Sequence, residues 1–485
     1  MKYKSIKINA VLNISKKCVN IVIPLIIYPY VSRVLGAPSY GKYSFAESIM
    51  GYVGLVAGFG ISTYAIREGA KVRDNKKQLK QLASELFTIS LITTFVSLVL
   101  LSAIVMIVPK LHESGILIFI MSFEVILNTL SRDWINEVYE DYIYITLRYI
   151  FFQILSVFLI LVFVKTQDDI VIYTFLRSIA ITGGASVSIF YTRKYAAMCF
   201  SPLSQIRKHW KPLFVFFGCS CASVVYIHSD ITILGIYKSD ADVGIYSIVS
   251  KIYTLVKSMV NAVVLVMIPR AAYYIGNNKD KLYSQLINKA QNILVMIILP
   301  AMTGIWCLSS DLILVIAGRE YIAGNYALKI LAVSLIFAVF SYLYAYGCLI
   351  PNGLDHYFFK ASVISAVINI ITNFICIPVF GINAAAATTL LAETAMYFIT
   401  KHYSRKECII KRKVSIHIMV ISVIEGIMIF MEYIFIRNCS LGSVMKILML
   451  GILGIISYLL ILLVSIVFFK IDILDTKNYR SCDNE

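Results

Sequence analysis

The stretch Gly41-Lys42-Tyr43-Ser44 returns 203 residues later as Gly244-Ile245-Tyr246-Ser247. The same separation links Arg67 to Arg270. In each copy an apolar stretch precedes the Gly-x-Tyr-Ser motif, and a basic loop follows the next apolar stretch. An internal repeat in an apolar chain predicts two similar helical lobes that face each other.

The composition of the chain is that of a membrane protein. Hydrophobic residues make up 59% and charged residues 15% of its 485 residues, and the mean hydropathy is +0.81. A soluble domain is about 45–50% apolar and about 25% charged. The apolar residues form runs of about 20 residues, the length that crosses about 30 Å of hydrocarbon. This pattern predicts an all-α polytopic membrane protein, because a β-barrel would alternate over segments of about 10 residues.

Fourteen apolar spans are predicted along the chain. They are 11–34, 40–64, 82–108, 115–136, 144–164, 170–192, 212–236, 243–268, 284–308, 327–350, 357–377, 381–401, 416–436 and 444–469. Spans 1–6 form an N-lobe (1–205), spans 7–12 form a C-lobe (206–402) in parallel repeat, and spans 13–14 lie in 403–485. Pro24 and Pro29 predict a kink in the first span. Residues 193–211 are interpreted as a loop with a short interfacial helix.

Basic residues fall in alternate loops of this topology. The N-terminus, the loops after spans 2, 6, 8 and 12, and the tail are rich in lysine and arginine, whereas each opposite loop has about one basic residue. The positive-inside rule therefore predicts that both termini are cytoplasmic. The net charge of +17 is explained by this topology and by contact with membrane lipids, so no nucleic-acid partner is expected.

No motif predicts catalysis, a metal or a cofactor. Cys219 and Cys221 form a C-x-C with no second pair to complete a zinc site. No phosphate-binding loop pattern occurs. Asp240-Ala-Asp242 could belong to a metal-dependent glycosyltransferase, but the pair is interpreted as a helix cap for span 8. We therefore expect a protein that is not an enzyme.

Cationic side chains inside spans are candidate ligands, because each costs about 2.5–3.5 kcal/mol on insertion. Those predicted to bind substrate are Lys17, Arg33, Arg67, Arg148, Arg177, Lys251 and Lys257. Lysines and arginines near span ends can instead reach the membrane surface or anchor the span. Arg148 and Arg177 have a second interpretation, in which they pair with Glu124 or Asp133 inside the first lobe.

Two acidic side chains are predicted to bind a coupling proton or sodium ion, namely Asp230 in span 7 and Glu393 in span 12. Asp230 could instead pair with a lysine of span 8, and Glu393 could make a packing hydrogen bond. Glu425 and Glu432, in the spans outside the repeat, are interpreted as structural.

Five short motifs follow one another along spans 1–12. They are Tyr30-Val-Ser-Arg33-Val-Leu-Gly36, Asp133-Trp134 with Arg148, Asp230 with Ile233-Leu234-Gly235, Ala317-Gly318-Arg-Glu-Tyr321, and Gly381-Ile-Asn-Ala-Ala-Ala386 with Glu393. Their order and spacing resemble the Wzx-type polysaccharide flippases of the multidrug/oligosaccharidyl-lipid/polysaccharide exporter superfamily. The resemblance implies a multi-pass transporter of the bacterial inner membrane, which moves undecaprenyl-pyrophosphate-linked oligosaccharide units outward by alternating access.

The resemblance also implies where the cargo would bind, which ion would drive its transport and which proteins would be partners. Spans 1, 2, 7 and 8 would line a cavity between the lobes, and cationic residues there, above all Lys251 and Lys257, would hold the diphosphate. A proton or sodium ion would drive transport, and a polysaccharide polymerase and a chain-length regulator are expected partners. Two alternatives stay open: a cation-coupled multidrug exporter, which would need an acidic cavity, and a non-transporting scaffold for glycan-assembly enzymes.

Overall fold

A computed structural model describes residues 6–195, 199–408 and 415–469, and these residues form seventeen α-helices. The helices of the first half are α1 (Ile6–Gly58), α2 (Ile61–Val72), α3 (Lys76–Ile107), α4 (Pro109–Glu113), α5 (Gly115–Ser131), α6 (Trp134–Val138), α7 (Tyr142–Phe163), α8 (Ile170–Tyr191) and α9 (Leu203–Tyr237). Those of the second half are α10 (Asp240–Gly276), α11 (Asp280–Cys307), α12 (Ser309–Ile316), α13 (Asn325–Tyr342), α14 (Asp355–Phe380), α15 (Ile382–Glu407), α16 (Ile416–Arg437) and α17 (Ser443–Phe469).

The helices confirm an all-α membrane fold with a span count close to fourteen. In the described ranges twelve helical segments are long and apolar enough to cross a membrane, and α5 is a shorter apolar helix. The first of the twelve covers two predicted spans, 11–34 and 40–64. Between these spans the helical torsions of α1 break at Gly36, where φ is 70° and ψ is 170°. Glycine tolerates this φ without steric cost. The break therefore lies at Gly36, not at Pro24 or Pro29.

The fourth predicted span is divided in the structure. Arg132 adopts φ of 52°, which ends α5, and the short helix α6 starts at Trp134. A positive φ at a residue other than glycine is uncommon and interrupts a right-handed helix. The predicted span 115–136 is consequently a membrane helix followed by a separate turn.

The predicted linker 193–211 also differs from the prediction. Helix α9 begins at Leu203 and continues without a break into the seventh span, so 203–211 extends that helix and forms no separate interfacial helix. Ile206 and Leu213 are buried together in a core that Tyr64 of α2 and Leu86 of α3 share. These apolar contacts hold the start of α9 against α2 and α3.

The described residues divide into two compact units, one ending at Gly244 and one starting at Ile245. In the first unit, α1 packs against α3, α5, α7 and α9, and α5 packs against α8. In the second unit, α15 packs against α13 and α14, whereas α16 packs against α11 and α17. The proposed lobe boundary at 205/206 stays a prediction.

The internal repeat reappears as a pair of reciprocal glycine contacts. A Cβ atom on Gly41 would lie 1.7 Å from the carbonyl oxygen of Asp240, and one on Gly244 would lie 2.1 Å from that of Ala37. Ala37 and Asp240 are also 203 residues apart, so each contact is the repeat image of the other. All four residues belong to the first unit. A local two-fold relation between two copies produces contacts of this kind.

Candidate functional site

A cavity of about 510 Å³ lies inside the first unit, among α1, α2, α3, α5, α8 and α9. Cavities of roughly 300–1,000 Å³ hold small ligands in proteins. The ionisable side chains of its wall are Glu47, Glu124, Arg132, Asp133, Arg177 and His228. A wall with this many charges at membrane depth marks a candidate functional site.

Arg177 of α8 shares this cavity with two carboxylates, Glu47 and Glu124. Its charge acts electrostatically on both carboxyl groups. Each carboxylate also accepts a hydrogen bond: Tyr43 Oη lies 3.1 Å from Glu47 Oε1, and Ser178 Oγ lies 2.5 Å from Glu124 Oε1. This part of the wall therefore presents one cation, two acids and two hydroxyl groups.

Arg148 of α7 forms a two-point ion pair with Asp133, at 2.9 Å (Nη1–Oδ1) and 2.7 Å (Nη2–Oδ2). Ser188 Oγ donates to the same carboxylate at 2.5 Å, and Asn136 Nδ2 lies 3.3 Å from it. Paired hydrogen bonds of this geometry are strong. The structure thus shows the second interpretation of Arg148, pairing with Asp133, and a cargo contact for Arg148 stays a prediction. Asn136, which is fully buried, has a supporting role that the sequence did not suggest.

Arg132 also lines the cavity, and sequence reasoning missed it. Its guanidinium lies 4.6 Å from the ring centre of Phe87, and Nε donates to the carbonyl oxygen of Leu130 at 2.9 Å. Its position within a predicted span was a signal that could have found it.

Lys257 and Glu393, predicted separately as a cargo ligand and a coupling-ion site, are joined in the second unit. Lys257 Nζ of α10 lies 2.5 Å from Glu393 Oε1 of α15. Tyr253 Oη donates to the same oxygen at 3.2 Å. The Lys257 side chain is 25% exposed and that of Glu393 only 5%. Lys251 lies on the same helix and is partly buried.

The remaining predicted residues lie in other surroundings. Arg33 is exposed and donates to the carbonyl oxygen of Pro29 at 3.2 Å. The Arg67 side chain is 54% exposed and forms an ion pair with the next residue at 3.0 Å. Asp230 is buried in α9, two residues after the cavity residue His228. The side chain of Lys17 lies outside the described part of the chain.

A buried polar chain crosses α2, α3 and α9, and the sequence did not reveal it. Tyr64 Oη lies 2.8 Å from His209 Nδ1, and His209 Nε2 lies 2.7 Å from Glu85 Oε2. Lys208 Nζ adds an ion pair to Glu85 at 2.9 Å. Glu85 falls inside the third predicted span, which was a signal for it, but nothing in the sequence indicated its partners on α9.

A second missed cluster lies in the second unit. Asn373 and Asn369, one helical turn apart on α14, are both buried, and Asn373 Nδ2 donates to Asn369 Oδ1 at 3.1 Å. Thr388 Oγ1 of α15 donates to Asn373 Oδ1. Two asparagines at this spacing within an apolar span were the available signal.

Residues 6–275, more than half of the chain, match the family described as "Polysaccharide biosynthesis protein". The chain belongs to this family. The match confirms the resemblance to the polysaccharide-flippase family that the five motifs indicated.

Two relatives are similar in sequence to this polysaccharide biosynthesis protein over most of its length. The "Putative O-antigen transporter" of Escherichia coli (strain K12) is 21% identical over 377 residues, which cover 77% of this chain and 90% of the relative. The protein of the same name from Shigella dysenteriae is 21% identical over 388 residues, covering 77% and 93%. The chain therefore spans nearly the whole length of both relatives.

Solved structures with related folds are transporters. "Lipid II flippase MurJ, inward closed conformation" matches with a TM-score of 0.76 and 16% identity over 95% of this chain and 99% of that one. An inward-facing "multidrug resistance MATE family transporter of the MOP superfamily" matches with a TM-score of 0.58 and 15% identity, over 81% and 94%. At these identities the likeness concerns the fold of this family member.

Proposed function

We propose that this chain moves oligosaccharide units linked to undecaprenyl pyrophosphate across the bacterial inner membrane, from the cytoplasmic to the outer leaflet. The observation that carries the proposal is the charged cavity of about 510 Å³ inside a bundle of apolar helices. Such a cavity lets a polar headgroup enter the membrane while its lipid tail stays in hydrocarbon. The names of the relatives, an O-antigen transporter and a lipid II flippase, support the same class of cargo.

The proposed roles follow from the chemistry of the side chains. Carboxylates and hydroxyl groups such as Glu47 and Glu124 suit sugar hydroxyls, whereas cations suit the diphosphate. Lys257 is held by Glu393 at 2.5 Å, so a phosphate must compete with that carboxylate for the lysine. Binding of a proton or sodium ion at Glu393 would free Lys257, which couples ion binding to cargo binding. Lys251, on the same helix as Lys257, is proposed as a further cargo ligand, and Asp230 of the first unit is proposed separately as a further site for the coupling ion.

The topology belongs to the same proposal. Both termini lie in the cytoplasm, as the distribution of lysine and arginine indicates. Two lobes, 1–205 and 206–402, alternate their access to the two sides of the membrane, and the helices of 403–485 are an addition to the repeat. The protein acts as a transporter, not an enzyme, and works beside a polysaccharide polymerase and a chain-length regulator.

Reconstitution into proteoliposomes tests the transport activity. A labelled undecaprenyl-pyrophosphate oligosaccharide is placed in the inner leaflet, and an external sugar-cleaving enzyme reports its arrival outside. We expect protein-dependent loss of protection, which the double variant Lys251→Gln/Lys257→Gln abolishes. Lys71→Gln is the matched control, because Lys71 is an exposed lysine paired with Glu68, and it should transport like wild type. Equal protection with and without protein would refute the proposal.

A second function is favoured by one observation, the three carboxylates of the first-unit cavity, Glu47, Glu124 and Asp133. Acidic walls suit the cationic substrates of a multidrug exporter. The same vesicles therefore also receive a fluorescent organic cation under imposed proton and sodium gradients. Transport of the cation without transport of the lipid-linked glycan would establish the exporter, and transport of neither would favour a scaffold for glycan-assembly enzymes.

A further inference from the structure

Two glutamates of α16 lie inside a predicted membrane span that the repeat does not include. Glu425 is fully buried and Glu432 is half-buried. They are seven residues apart, which is two helical turns, so they share one face of α16. This face meets α17, the last described helix.

A serine hydroxyl of α17 forms a hydrogen bond with this pair. Ser457 Oγ donates to Glu425 Oε1 at 3.1 Å. The other carboxyl oxygen of Glu425 and one oxygen of Glu432 are both buried without a hydrogen-bond partner. A Cβ atom on Gly454 would lie 3.9 Å from that Glu432 oxygen, so a glycine of α17 faces the carboxyl group.

Among the described residues, the nearest cation to this pair is Arg437 at the end of α16, which acts on Tyr433 beside Glu432. Tyr458 of α17, whose hydroxyl is also buried without a hydrogen-bond partner, lies near Glu425, and each glutamate faces the other along α16. From α11, Thr303 lies beside Gly426, the residue after Glu425, and Asp311 of α12 acts on Tyr433 beside Glu432. No lysine, arginine or histidine of the described residues forms an ion pair with either glutamate.

A carboxylate in these surroundings would be an isolated charge in hydrocarbon. Isolated buried charges are so costly that such a group takes up a proton instead. The neutral carboxyl suits these surroundings, because it removes the isolated charge and keeps Ser457 as a donor to one oxygen of Glu425. The two carboxyl oxygens without a hydrogen-bond partner belong to residues on one face of one helix.

We propose that Glu425 and Glu432, with Ser457, form a proton-binding site between α16 and α17. Glu432 is about 7 Å from the helix end at Arg437 and Glu425 about 18 Å from it, at a rise of 1.5 Å per residue. Glu432, the nearer site, exchanges its proton with water at that end, where its O–H bond forms as an O–H bond of hydronium breaks, and Glu425 is the deeper proton-binding position. The site does not depend on the identity of the cargo.

A carbodiimide that reacts with protonated carboxyl groups in apolar surroundings tests this site without any transport assay. Purified full-length protein in liposomes is labelled with a fluorescent carbodiimide at several pH values, and peptide mass spectrometry locates the adduct. We expect labelling of Glu425 or Glu432 that falls several-fold as the pH rises. Glu85 is the internal control, because it is buried like Glu425 but has Lys208 Nζ at 2.9 Å and His209 Nε2 at 2.7 Å, and it should stay unlabelled.

The variants Glu425→Gln and Glu432→Gln complete the experiment. Each keeps the size of the side chain, and together they should remove the label from α16 while the protein still elutes as a single species. Absence of label from both glutamates of the wild-type protein would overturn the proposal, provided that the reagent labels a model membrane carboxyl in the same vesicles. Labelling that does not change with pH would also overturn it, because the bound proton would not exchange.

Discussion

Glu393 and Glu425 are two buried carboxyl groups of the second unit, 3% and 0% exposed, with opposite surroundings. Glu393 lies in the repeat and faces a lysine at 2.5 Å, whereas Glu425 lies outside the repeat and faces a serine hydroxyl at 3.1 Å. Burial alone therefore does not set the charge of a carboxyl group at membrane depth. The neighbouring side chain sets the charge: Glu393 forms an ion pair with a lysine, whereas Glu425, beside a serine, belongs to the proposed proton-binding site.

In the first unit, acidic side chains are paired with cations, as Glu393 is in the second unit. The buried Glu85 is paired with Lys208 and His209, and Asp133 is paired with Arg148. These acids belong to the repeat helices, which retain charged pairs, whereas the glutamates of α16 have hydroxyl groups and apolar side chains around them. Three substitutions can break or sharpen this contrast.

The largest effect is expected from Lys257→Gln. This change leaves the buried Glu393 without its cation, and breaking a buried pair in this way costs about 3–5 kcal/mol. Thermal unfolding in detergent should show a strongly lowered transition temperature. Adding Glu393→Gln should recover most of the loss, because both charges are then gone. A double variant as unstable as the single one would contradict the pairing.

A smaller effect is expected from Arg148→Lys. Lysine keeps the charge but cannot form the two parallel bonds to Asp133. Loss of one charge-assisted hydrogen bond should lower the free energy of unfolding by about 1.5–3 kcal/mol. The matched control is Arg67→Lys, at an exposed arginine, which should change stability by no more than about 0.5 kcal/mol. Equal effects of the two substitutions would show that the paired geometry does not contribute.

The smallest effect is expected from Glu425→Gln. A glutamine amide has the shape of a neutral carboxyl group and still accepts the bond from Ser457, so stability should stay within about 1 kcal/mol of wild type. Denaturation at mildly acidic pH measures this difference. A large gain in stability would show that the wild-type protein holds a buried charge at this position, which would remove the contrast with Glu393.

Much of the fold could be predicted from the sequence, because an apolar run of about 20 residues satisfies its backbone hydrogen bonds in lipid by forming an α-helix. The positions at which helices are interrupted could not be predicted. Gly36 and Arg132 interrupt helices through a positive φ, and neither residue type requires one. The start of α9 at Leu203 depends on where Ile206 and Leu213 are buried, which is a tertiary contact.

The candidate site was predicted residue by residue but not as an arrangement. Arg148 and Asp133 lie on neighbouring segments, so their pairing could be considered from the sequence. Lys257 and Glu393 are 136 residues apart, and only the tertiary structure brings α10 and α15 close enough for them to meet. The partners of Glu85 on α9 were unpredictable for the same reason.

The reciprocal contacts of Gly41 and Gly244 have an evolutionary consequence. Gly41 contacts the backbone carbonyl of Asp240, which lies in the same copy of the repeat as Gly244, and Gly244 contacts that of Ala37, which lies in the copy of Gly41. A half-length ancestor could therefore have formed the same contact with a second copy of itself. Fusion of two such genes would have converted one requirement for glycine into two independent ones. Either position would then be intolerant of alanine by itself, and the intolerance of both would be a remnant of an ancient homodimer.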